Sequence, residues 1–214
     1  HALRFIREAL PDTIILSTIF SPLSIARTLA GDQALVRYLR ENPEDLHAGL
    51  AIITDVTARF AAETLAAGAD GTFFATQCAT MEYLTVEEYE EFGRPYDLRV
   101  LMSAASGDLR LLHVHGEAIM FDVLADYPVD VINWHDRRTP PSLAQARELT
   151  SVCLAGGIHE WETLYKGTPE AIAAEVREAI SQTGGRGHVL AAGCVVPADL
   201  ADERMSAARR AVEA

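Results

Sequence analysis

The chain has 214 residues, 49% hydrophobic and 23% charged, with 18 Lys and Arg against 31 Asp and Glu for a net charge of −13. That suffices for one sizeable core in a single domain, residues 1–214. The acidic balance speaks against nucleic acid as a partner, and no apolar run approaches the ~20 residues of a membrane helix. Three widely spaced cysteines, Cys78, Cys153 and Cys194, speak against a disulfide framework and leave packing, metal binding or catalysis. The first residues lack the basic and apolar regions of a signal peptide, so a cytoplasmic location is expected.

Taken in order, short apolar runs alternate with amphipathic stretches. Thr13–Thr18 reads as a strand, followed by helices over Pro22–Leu29, Gln33–Leu39 and Asp45–Ala67. The last of these opens at Asn42-Pro43 and stops at Gly68. Gly71–Thr76 is the second strand. A helix over Val86–Ala105 starts at a capping box, Thr85 with Glu88. Leu109–Val114 and Asp130–Trp134 are strands separated by a helix over Glu117–Asp126. Ser142 and Gln145 cap Leu143–Leu149, which leads to a strand at Ser151–Ala155. Thr168-Pro169 starts a helix to Thr183, His188–Ala192 is the sixth strand, and Ala198–Glu213 the last helix.

Six strand–helix units imply a parallel sheet with right-handed crossovers. Strands apolar along most of their length fit a sheet covered on both faces. The architectures are an open doubly wound sheet or a TIM-type (βα)8 barrel with two units missing. No glycine fingerprint for a dinucleotide follows any strand: Gly156-Gly157 and Gly184-Gly185-Arg186-Gly187 have the wrong spacing.

In parallel α/β folds the chemistry sits at the C-terminal strand ends. His113-Val114-His115-Gly116 puts two imidazoles on one face of a strand, and Cys194 leaves the last strand. If the sheet closes, two nitrogens and a thiolate meet in a set suited to Zn²⁺ with an open position. The same pattern also serves histidines that only hydrogen-bond. Gln77 and His159, at other strand exits, are the candidate substrate contacts. Cys153, His47 and His188 read as structural.

These motifs resemble the C-terminal two-thirds of the uroporphyrinogen decarboxylase superfamily, which also holds corrinoid-dependent methyltransferases and is related to cobalamin-independent methionine synthase. The resemblance rests on Phe20-Ser21-Pro22, Ala67-Gly68-Ala69-Asp70, Glu90-Glu91-Phe92-Gly93-Arg94-Pro95-Tyr96 and His113-Val114-His115-Gly116. Asp130-Val131-Ile132-Asn133-Trp134, Leu154-Ala155-Gly156-Gly157-Ile158 and Ala192-Gly193-Cys194-Val195-Val196-Pro197 complete it. It implies a TIM barrel whose first two strands lie outside this chain, and a homodimer.

Methyltransferase members of the family carry His-x-Cys-Gly and Gly-Cys, which bind zinc that activates a thiol acceptor. The matching positions here are His113, His115 and Cys194, so one thiolate is replaced by imidazole. In the methionine-synthase relatives a carboxylate on the following strand also ligates the metal, and register places His135 near that position, which implies a third imidazole here. The resemblance thus implies a zinc-dependent methyltransferase-like enzyme, a small-molecule thiol and a corrinoid methyl donor on a partner protein. The decarboxylase branch, acting in porphyrin biosynthesis without a cofactor, is the alternative. Its tyrosine, serine and histidine correspond to Thr28, Gln77 and Cys194, three departures that weigh against it. A non-catalytic binding fragment is the third reading.

Overall fold

The computed structural model describes residues 1–213. Six strands form one parallel sheet whose spatial order is the chain order. They are β1 (Leu16–Phe20), β2 (Gly71–Thr76), β3 (Leu109–Val114), β4 (Val131–Trp134), β5 (Cys153–Ile158) and β6 (His188–Ala192). This is the arrangement of six consecutive βα units of a TIM barrel, since a doubly wound sheet reverses its strand order at a switch point. The helices are α1 (Ala2–Ala9), α2 (Pro22–Ala30), α3 (Asp32–Glu41), α4 (Pro43–Ala66), α5 (Val86–Phe92) and α6 (Arg94–Ser103). After them come α7 (Phe121–Leu124), α8 (Leu143–Leu149), α9 (Pro169–Thr183) and α10 (Asp202–Glu213).

Two rows of side chains run across the sheet, one residue apart in each of β1 to β5. The outward row is Ile19, Phe74, Leu112, Ile132 and Leu154, paired strand to strand and all at most 2% exposed beneath the helices. The next row, Phe20, Ala75, His113, Asn133, Ala155 and Val189, faces inward onto a cavity of about 1100 Å³. Parallel pairing with a side-chain period of two keeps the rows apart from β1 to β4, whereas on the edge strand β6 consecutive residues Val189, Leu190 and Ala191 all border the cavity.

Some boundaries depart from the sequence expectation, each for a local reason. β1 starts at Leu16 rather than Thr13, because Arg7 of α1 takes the carbonyls of Pro11 and Thr13 into its own hydrogen bonds. The expected helix Val86–Ala105 is two, α5 and α6. Pro95 supplies no N–H, and the Tyr89 ring lies where a Cβ on Gly93 would be 2.4 Å away. The expected helix Glu117–Asp126 shrinks to the single turn α7. Met81 N–H donates to the Ala118 carbonyl and Met120 N–H to the Ala79 carbonyl, so the segment forms a bridge to the loop after β2. α10 begins at Asp202 rather than Ala198. A six-residue π-helical turn, Glu160–Tyr165, follows β5.

Candidate metal centre

Strands β3, β4 and β6 each deliver a donor to one point at their C-terminal ends. His113 is the fifth residue of β3 and points inward; His115, two residues on, stays on the same side just past the strand. His135 directly follows β4, and Cys194 lies two residues beyond β6. Gly193 lets that segment close over β4, for a Cβ there would sit 2.9 Å from the His135 Cα.

The four side chains offer donor atoms that all lie within 4.8 Å of one another. Cys194 Sγ is 3.7 Å from His113 Nε2 and 3.7 Å from His115 Nδ1, and His135 Nε2 is 3.2 Å from His115 Nδ1. Tetrahedral zinc, about 2.1 Å from nitrogen and about 2.3 Å from sulfur, sets N···S edges of about 3.6 Å. The donor set and its spacing therefore fit zinc. His113 and His135 are buried, while His115 and Cys194 are half-buried and open onto the cavity.

The electrostatics favour an anionic sulfur. Burial opposes ionisation of the Cys194 thiol, but its polar contacts with His113, His115 and His135 outweigh it and hold the group at about 4. For His135, burial disfavours the imidazolium, yet contacts with Cys194 and Glu160 raise it to about 9. Glu160 is 1% exposed and would be pushed up by burial; His135 and Arg138 pull it down to about 2. Its Oε1 lies 3.0 Å from Arg138 Nη2 and 3.4 Å from His135 Nδ1. A carboxylate behind a ligating imidazole orients the ring and raises its basicity.

Asn133 sits beside His113 in the inward row, its Oδ1 2.6 Å from His113 Nδ1. Neither Asn133 nor Glu160 was singled out in the sequence. An amide inside an otherwise apolar strand is the signal that would have flagged Asn133, since Asn is depleted in strands. Glu160 gave none.

The two expected substrate contacts lie in different places. Gln77 borders the large cavity together with His113 and His115. His159 caps the π-helical turn, its Nδ1 accepting from the N–H groups of Trp161 and Glu162, and is not among the cavity-lining residues. That cavity is walled mostly by apolar side chains, and the one Lys, Arg, Asp or Glu lining it among the described residues is Arg209, which pairs with Glu213. Cys78 is buried and Cys153 half-buried, both away from the cluster. Among the described residues no helix is long and apolar enough to cross a membrane.

A uroporphyrinogen decarboxylase (URO-D) family model matches residues 1–214. A curated relative, the methylated-thiol–coenzyme M methyltransferase of Methanosarcina mazei, is 22% identical over 169 residues, which is 78% of this chain and 45% of that protein. A solved methyltransferase from Methanosarcina mazei shares the fold with a TM-score of 0.88 at 23% identity, over 99% of this chain and 62% of that one. A B12-independent methionine synthase from Shewanella sp. W3-18-1, in complex with selenomethionine, gives 0.58 at 16% identity, over 99% of this chain and 63% of that one. The chain thus spans less than two thirds of the length of each relative.

Proposed function

Since this chain belongs to the uroporphyrinogen decarboxylase family, we propose that it acts in methyl transfer, as a zinc-dependent methyltransferase on a thiol acceptor. The observation that carries this reading is the convergence of His113, His115, His135 and Cys194. A catalytic zinc keeps three protein ligands and one exchangeable position. His113, His115 and Cys194 are that set, with His135 as a fourth donor at its edge. Bound there, zinc would lower the pKa of an acceptor thiol and keep it as the nucleophilic thiolate.

The chain's own residues do the rest. Glu160 and Arg138 hold the His135 ring, and the apolar cavity beside His115 and Cys194 receives the body of the acceptor and keeps water from its sulfur. Gln77, at the cavity wall, is the substrate contact. His159 acts from behind, through the π-helical turn that carries Glu160. A methylated corrinoid on a partner protein is the donor, the protein works as a homodimer, and residues 1–214 act as one barrel domain. Decarboxylation of a porphyrinogen fits less well, because Thr28, Gln77 and Cys194 stand at the positions where that branch carries its tyrosine, serine and histidine.

Metal analysis of the purified protein tests the reading. About one zinc per chain is expected in wild type, held markedly more weakly in Cys194→Ala, where three imidazoles remain. A wild-type protein that takes up no zinc on reconstitution would sink it.

A further inference from the structure

Asn133 has more bonds than a buried amide needs for its own sake. It is 6% exposed. Its Nδ2 donates to the Ala155 carbonyl at 2.9 Å and to the Ala192 carbonyl at 3.1 Å, which uses both amide hydrogens. The opposite amide orientation would set Oδ1 against two carbonyl oxygens with no hydrogen between them. The oxygen must therefore face His113 Nδ1, 2.6 Å away. An oxygen that only accepts requires that nitrogen to donate.

We propose that Asn133 is a positioning residue that locks His113 with its proton on Nδ1 and its lone pair on Nε2, the nitrogen 3.7 Å from Cys194 Sγ. Ala192 lies two residues before Cys194, so one amide holds both a ligand on β3 and the strand that delivers the thiolate, although β3 and β6 are not neighbours. The tautomer follows from the hydrogen bonds alone. Its consequence for metal affinity rests on the zinc reading above.

Nitrogen-15 NMR of the imidazoles in the metal-free full chain, at a pH where the rings are neutral, reads the tautomer directly. His113 is expected as Nδ1–H in wild type. Asn133→Leu, similar in size but without the acceptor, is expected to shift it towards Nε2–H. An Nε2–H ring in wild type, or an unchanged tautomer in Asn133→Leu, overturns the proposal. If Asn133→Leu does not fold, the wild-type ring alone still decides the tautomer. Cobalt titration forms the second arm: outer partners of ligating histidines typically contribute about 10–100-fold in affinity, so Asn133→Leu should weaken cobalt binding by that factor and alter its visible spectrum. A wild-type Nδ1–H ring in a protein that takes up no cobalt would uphold the tautomer and remove the zinc reading.

Discussion

The outward and inward rows of the sheet differ by one residue in register and by almost everything else. Ile19, Phe74, Leu112, Ile132 and Leu154 are uniformly aliphatic or aromatic and seal the sheet against its helices. Fully burying such a side chain is worth about 1.5–3 kcal/mol relative to leaving it exposed. The neighbouring row mixes Phe20, Ala75, His113, Asn133, Ala155 and Val189, leaving space above the small residues and placing polar groups where the strands end. Stability is concentrated on one side of the sheet and chemistry on the other, and the pleat keeps them apart. A one-residue slip of any strand would exchange the two.

Adjacent residues of β3 break the comparison most sharply. His113→Ala should reduce zinc affinity by more than about 100-fold, beyond the range for an outer partner, while costing the metal-free protein less unfolding free energy than loss of an outward-row leucine. Leu112→Ala should do the reverse, costing about 2–5 kcal/mol and leaving the metal stoichiometry at one. Denaturant unfolding and metal content, measured on both variants, check this. Two variants that lose stability and metal in parallel would show that the rows are not independent.

The outward row was the legible one. Apolar runs bounded by caps and glycines mark six strands, and β2, β3 and β6 begin and end where the sequence places them. His113 and His115 were legible too, because spacing by two on a strand is enough to put both on one face. What pairs with them was not. Asn133 reaches His113 through cross-strand register, which no local pattern encodes. Glu160 enters through a π-helical turn held by bonds such as Leu164 N–H to the His159 carbonyl, for which the sequence offers no pattern. Helix α1 was missed for a different reason. None of its residues is fully buried, Phe5 being 73% exposed, and the helix is tied down by Arg7 on Asp70 and the Gly68 carbonyl.

Polarity also enters the helical layer, and there it weighs on stability. Asp97 of α6 is fully buried, its Oδ2 accepting from Tyr89 at 2.6 Å and from Tyr127 at 3.2 Å while Oδ1 has no partner. Burial outweighs both hydrogen bonds and raises the carboxyl from 3.8 to about 7. Through that window the unfolded chain has released the proton and the folded chain has kept it. Stability therefore falls as pH rises from about 4 to about 7 and levels off above. Asp97→Asn should flatten the fall without touching zinc content. Thermal melts across that range read it, and parallel curves for wild type and variant would refute the assignment.

The smallest effect tests whether the helical layer communicates with the site at all. Thr85 caps α5, accepting from Glu88 N–H at 3.1 Å while the Glu88 carboxylate accepts from Thr85 N–H at 2.9 Å. The box is exposed and lies on the helical layer, and its other partner is Arg40 of α3. Removing the cap with Thr85→Ala leaves orphaned N–H groups at a helix start that water can reach, so the cost should be about 1 kcal/mol. Nothing in that loss can reach the inward row, because β2 and β3 are held to their neighbours by ladder bonds that the cap does not share. Zinc affinity should stay within error of wild type while the unfolding midpoint drops. A cap variant that loosened the metal would mean that the outer layer sets the register of the strands, and that the two rows are one cooperative unit after all.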